Sequence, residues 1–143
     1  MLSNIEKCQL LAIVAHRGQT DKQGQPYIYH PAWVAGHLGT DEEKTVAWLH
    51  DVIEDTEFTL ADLRCLGLNC KIIDALEAIT KRDGESYKKY INRVKKNELA
   101  TKVKLVDLRH NMERYHWLGK EERTKKAKKR FKKYEHAFAY LSL

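Results

Sequence analysis

Proline is almost missing from this 143-residue chain: Pro26 and Pro31 are the only two, so nothing in the covalent backbone forbids long helices over most of its length. Cysteine is sparse as well. Cys8, Cys65 and Cys70 are odd in number and lack Cys-x-x-Cys spacing, which fits buried thiols in a reducing compartment far better than a disulfide framework or a cysteine zinc site. Long apolar runs are absent. The longest, Leu10 to Ala15, follows Glu6 and Lys7 and is far too short for a membrane span or a signal segment. The expected location is therefore the cytoplasm, with no membrane partner. No segment alternates with a strand period, and there is no internal repeat or linker. Hydrophobic residues at 43% and charged residues at 32% fit a soluble globular chain, and its length predicts one domain over residues 1–143.

What is present is helical periodicity. Ile5, Cys8, Leu11, Ala12 and Ala15 form one stripe, a polar loop follows from Gly18 to Pro26, and Pro31 suits the first turn of a second helix. Thr40 and Glu43 make a capping box, which predicts a helix begun near Asp41 that runs through His50 and Asp51. Thr59, Asn69 and Ser86 are further caps, the last opening a helix at Tyr87. A long helix is expected from about Glu98 to near His116, with Gly119 separating it from a final helix. The fold class is all-α.

The formal charge is +6, and much of the excess lies between Arg123 and Lys133. Ala127, Phe131, Tyr134 and Phe138 recur there at helical spacing, so the segment reads as an amphipathic helix with a solvated lysine face. Contact with a polyanion is the second reading, and nucleic acid is not the expected partner.

The chemistry concentrates in Trp48-Leu49-His50-Asp51-Val52-Ile53-Glu54-Asp55. An imidazole beside a carboxylate offers a divalent cation one nitrogen and one oxygen. His30 and Asp107 are two further candidates, and two histidines with two aspartates would leave open positions on a six-coordinate Mn²⁺, Fe²⁺ or Mg²⁺. Glu54 and Asp55 follow within one turn, placed to move protons at an attacking water. Leu49, Val52 and Ile53 are expected to face the core. Singly, each residue has a plainer reading: His30 as a helix cap, Asp107 as a buried acid paired with Arg109, and His16, His37, His110 and His116 as hydrogen-bonding imidazoles. Trp33 and Trp48 read as core. Lys81, Arg82 and Tyr87 belong either to a pocket rim or to an ordinary interhelical turn.

Three stretches together resemble a known family. These are Ala15-His16-Arg17-Gly18-Gln19 continuing through Asp21 and Lys22 to Tyr29-His30-Pro31, then Leu49-His50-Asp51 to Thr56, then Lys104-Leu105-Val106-Asp107-Leu108-Arg109-His110-Asn111-Met112. They resemble the HD-domain phosphohydrolases, in particular the ppGpp 3′-pyrophosphohydrolase domain of RelA/SpoT-type proteins in a small stand-alone form. The resemblance implies a helical HD-domain fold, a metal held by His30, His50, Asp51 and Asp107, usually Mn²⁺, and an acidic pair, Glu54 and Asp55, at the water. It implies nucleotide contacts for Lys22 and Asn111.

Two positions depart from the family pattern. Asp21 stands where an arginine is usual, a charge reversal expected to repel phosphate or to remove a stacking guanidinium. Leu108 stands where a basic residue is usual, and Arg109 and Arg114 are the candidates to supply that charge. The expected function is metal-dependent hydrolysis of a nucleotide, guanosine 3′,5′-bis(diphosphate) first. A nucleoside monophosphate or NADPH is the alternative substrate, and a non-catalytic nucleotide- or nucleic-acid-binding module is the alternative class.

Overall fold

Seven of the nine α-helices open on a side chain that accepts a hydrogen bond from the first-turn backbone or stand behind a full capping box, and this local chemistry largely fixes where the chain turns. The computed structural model describes residues 1–143. Its helices are α1 (Asn4–Ala15), α2 (Tyr29–Gly36), α3 (Asp41–Leu49), α4 (Val52–Asp55), α5 (Leu60–Arg64), α6 (Cys70–Ile79), α7 (Tyr87–Lys95), α8 (Glu98–His116) and α9 (Lys125–Leu141), with a 3₁₀ turn at Lys120–Glu122. Ser3 and Glu6, Thr40 and Glu43, and Thr59 and Asp62 form reciprocal capping boxes. Asn69, Ser86, Asn97 and Thr124 cap α6, α7, α8 and α9, each cap contributing about 1 kcal/mol. There is no sheet, only an isolated bridge between Thr20 and Pro26.

The long α8 is the spine, against which α2, α3, α6, α7 and α9 all pack, while α1 lies on α3. A single cluster of 24 buried apolar residues joins α1, α2, α3, α6, α7, α8 and the end of α9. Leu49, Leu76, Val103 and Leu108 are fully enclosed there. Trp33 and Trp48 are half-buried against it. No helix is long and apolar enough to cross a membrane.

Three expectations need correction. The helix begun at Asp41 does not run through the His-Asp doublet: α3 ends at Leu49, His50 is its cap, and Asp51 stands before the single turn of α4. The His50 ring bonds the carbonyl of Ala47, the acceptor that an uninterrupted helix would offer to the N–H of Asp51. Ile53 is half-buried rather than enclosed, unlike Leu49 and Val52. Of the cysteines only Cys8 is buried; Cys65 and Cys70 sit exposed at the facing ends of α5 and α6.

Candidate metal centre

His30 comes from the first turn of α2, His50 and Asp51 from the α3–α4 junction, and Asp107 from the middle of α8. Because α2 and α3 both pack on α8, these donors converge. His30 Nε2 lies 2.7 Å from Asp107 Oδ1 and 3.7 Å from Asp51 Oδ2. His50 Nε2 lies 3.0 Å from Asp51 Oδ2 and 3.4 Å from Asp107 Oδ1. Neighbouring corners of an octahedron with bonds of about 2.1 Å are about 3 Å apart, so the spacing fits one divalent ion. His30, His50 and Asp107 are each nearly enclosed.

The protonation pattern also fits a cation. His50 Nδ1–H donates to Ala47 O at 2.6 Å, and its buried Nε2, without a hydrogen-bond partner, faces Asp51 and Asp107. Against the opposing effect of burial, the charges of these acids raise the pKa of the ring well above its ordinary value, so that a bound cation would take the place of the Nε2 proton. An orphaned buried nitrogen is costly unless something binds it. Burial works against charge on both acids. Even so, the neighbouring His50 holds Asp51 below its ordinary range, and Lys104 holds Asp107 well below its own. Both acids are therefore in the ionised form that a ligand requires.

A second ring of side chains aims the donors. His110 Nδ1 sits 2.7 Å from His30 Nδ1. Burial, and then His30, push the His110 pKa down to about 3, so neutral His110 accepts the His30 Nδ1–H and leaves His30 Nε2 facing the site. The His110 ring lies parallel to Trp33, 4.2 Å away. Tyr27 O–H donates to Asp51 Oδ2 at 2.5 Å. Lys104 Nζ donates to Asp107 Oδ2 at 2.7 Å, so that carboxylate turns one oxygen to the histidines and the other to an ammonium. Gln19 accepts from His16 and donates to the carbonyl of Asp55, fastening the loop after α1 to α4. Sequence reasoning gave Tyr27, Lys104 and Gln19 no role. Tyr27 and Lys104 stand three residues before His30 and Asp107, a spacing that was visible; the contact from Tyr27 to Asp51 depends on tertiary packing.

The centre opens into a cavity of about 520 Å³. Glu54 and Asp55 line it, Glu54 anchored by the backbone N–H of Lys81 at 2.5 Å. Burial raises both carboxyls, Asp55 to about 6, with Asp51 adding to each. Lys22, Asn111 and Arg114 reach the same space, as do Lys81 and Tyr87. Arg82 does not, pairing instead with Glu77 at 3.5 Å. Arg109 is also elsewhere: it is exposed, with its guanidinium over the Trp33 ring at 5.2 Å. Two residues after Asp107 on a helix, it points to the far side, and the ion pair to Asp107 comes from Lys104 instead. The basic last helix is less of a solvated face than its composition implies. Arg130, Phe131, Lys133 and Tyr134 form one wall of the cavity.

Fold and site together define an all-helical domain with a buried His/Asp cluster that could hold a metal ion. No protein-family model matches the chain. It is 34% identical over 140 residues to a GTP pyrophosphokinase of Streptomyces coelicolor, covering 89% of this chain and 16% of that protein. It is 32% identical over 126 residues to the bifunctional (p)ppGpp synthase/hydrolase SpoT of Escherichia coli, covering 78% of this chain and 18% of SpoT. A guanosine-3′,5′-bis(diphosphate) 3′-pyrophosphohydrolase of Haemophilus influenzae is 31% identical over 134 residues, covering 83% of this chain and 20% of that enzyme. The chain thus spans a fifth or less of the length of these relatives. A solved structure of a metazoan ortholog of SpoT, described as hydrolyzing ppGpp, superposes with a TM-score of 0.80 at 20% identity, over 99% of this chain and 86% of that one. The chain is homologous to one segment of the SpoT/RelA-type proteins and has the fold of that ortholog.

Proposed function

We propose that residues 1–143 form one HD-type phosphohydrolase domain that binds a single divalent cation, Mn²⁺ first, with Fe²⁺ or Mg²⁺ as alternatives, and removes the 3′-pyrophosphate of ppGpp or a related alarmone of the stringent response. The observation that carries this reading is the buried, unpartnered His50 Nε2 inside a His/Asp donor set, bordered by Glu54 and Asp55 and opening into a cationic cavity. Of the two activities in the name of the bifunctional relative, the hydrolase is the one this chemistry serves. A cytoplasmic location goes with such a substrate.

His30, His50, Asp51 and Asp107 would hold the ion. When bound, it supplies Lewis acidity, polarising the phosphoryl group and lowering the pKa of water. The protein's own groups do the rest. Burial raises both carboxyls of the Glu54–Asp55 pair, Asp55 to about 6, so near that pH Asp55 is divided between its acid and base forms. The ionised member takes a proton from the attacking water as its oxygen bonds to phosphorus. The protonated member returns one to the departing 3′ oxygen, giving GDP and pyrophosphate. Lys22, Asn111 and Arg114 line the path of the remaining phosphates, and cations there favour the charge that builds on the phosphoryl oxygens. Glu54→Gln should retain the metal and lose at least about 100-fold in kcat; wild-type turnover in that variant would remove Glu54 from this role.

A second reading keeps the metal centre and changes the nucleotide to a nucleoside monophosphate or NADPH. The observation favouring it is Asp21, an acid on the wall of the substrate cavity. Assays with Mn²⁺ across ppGpp, pppGpp, nucleoside monophosphates and NADPH decide between the two.

A further inference from the structure

The cavity is electrically divided. Of the five acids on its wall, Asp51, Glu54, Asp55 and Asp107 belong to the metal end. Apart from Lys81 and Lys104, which stand beside Glu54 and Asp107, the lining cations are Lys22, Arg114, Arg130 and Lys133, and they make the cationic end of the cavity. These cations crowd one another: Lys22 is held below its ordinary range first by burial and then by Arg130, Lys126, Arg114 and Lys133. The fifth acid, Asp21, sits at this cationic end.

Asp21 has two separable jobs. Its Oδ1 accepts the backbone N–H groups of Gln23 at 2.9 Å and Gln25 at 3.0 Å, closing the turn that carries Lys22. Its Oδ2 faces Arg114 Nη2 at 3.6 Å, and the two side chains are only 13% and 19% exposed. The first job needs an oxygen acceptor and no charge. The second puts a fixed negative charge where a phosphate chain would extend, and it claims part of the Arg114 charge.

We infer that Asp21 is a specificity-determining residue: by holding Arg114 and repelling added negative charge, it makes the cationic end accept a short phosphate chain and disfavour one phosphate more. The inference rests on the proposed reading for orientation, with the scissile group at the metal and the 5′ phosphates at the cationic end. It states which members of that substrate class are preferred.

The test uses the full chain free of metal, in EDTA, where the acids of the metal end repel phosphate and leave the cationic end as the binding surface. Guanosine 5′-diphosphate and 5′-triphosphate are titrated by calorimetry. Asp21→Asn keeps an oxygen for the turn and removes the charge, and it should shift the triphosphate-to-diphosphate affinity ratio by about fivefold towards the triphosphate. Arg114→Met should weaken both nucleotides and keep the preference for the diphosphate at least as large as in wild type, because Asp21 then stands uncompensated. A ratio that moves less than about twofold in Asp21→Asn, or that is erased in Arg114→Met, overturns the inference, as does failure of both nucleotides to bind the metal-free protein. With metal, the KM ratio of pppGpp to ppGpp should fall in Asp21→Asn. If ppGpp is not hydrolysed while the binding ratio shifts, the proposed substrate is wrong and the role of Asp21 stands.

Discussion

His50 offers one nitrogen to Ala47 and turns the other, without a hydrogen-bond partner, to the site, and His30 has its outer nitrogen turned to His110. The candidate metal centre is thus prepared by neighbours outside the proposed ligand set. Such supporting contacts commonly change metal affinity 10- to 100-fold, so His110→Phe should lower Mn²⁺ affinity by about that factor while far-UV circular dichroism stays unchanged. Unchanged affinity would show that the His30 ring needs no aid. Asp55 carries the clearest pH signature. Burial first, then Asp51 and Glu54, raise its pKa from 3.8 to about 6, so the folded protein holds this proton more tightly than the unfolded chain. That contribution to stability is full below pH 3.8 and is lost as pH rises through about 6. In metal-free protein, Asp55→Asn should therefore be more stable than wild type at pH 8, by about 1 kcal/mol once solvent screening of this partly exposed side chain is allowed for. The difference should shrink steadily from pH 7 to pH 4, as read by denaturant melts.

At the level of elements, the caps were legible because each is a contact between residues close in sequence. Thr40 with Glu43, Thr59 before α5, Asn69 before α6 and Ser86 before α7 all stand where their residue types imply. The face of α8 was legible for the same reason: Asp107, Asn111 and Arg114 follow at helical spacing and all reach the cavity, whereas Arg109, two residues on from Asp107, turns away. The break between α3 and α4 was not legible, since it depends on a histidine ring competing for a carbonyl of its own helix. Nor was the inward use of Arg130 and Lys133, which is set by the side from which α9 meets α8. Because α9 lines the cavity but supplies no candidate ligand, it can be loosened independently of the metal. Thr124→Ala should cost about 1 kcal/mol of stability and raise KM, with Mn²⁺ affinity unchanged. A parallel loss of metal affinity would tie α9 to the centre.

The whole molecule is one apolar cluster with a polar cavity set into its side, acidic towards the His/Asp centre and basic towards α9. An ion that binds the folded chain alone stabilises it by mass action, by about 2.7 kcal/mol at a hundred times Kd. The central claim is that one divalent ion joins α2, the α3–α4 junction and α8, and its most direct test is a thermal melt with and without Mn²⁺ for wild type, His50→Ala and Glu54→Gln, with bound metal counted. Wild type and Glu54→Gln should each bind one ion per chain and melt several degrees higher with Mn²⁺, while His50→Ala should show neither effect. A wild-type melting temperature indifferent to Mn²⁺, or a His50→Ala variant that still binds one ion, would contradict the account.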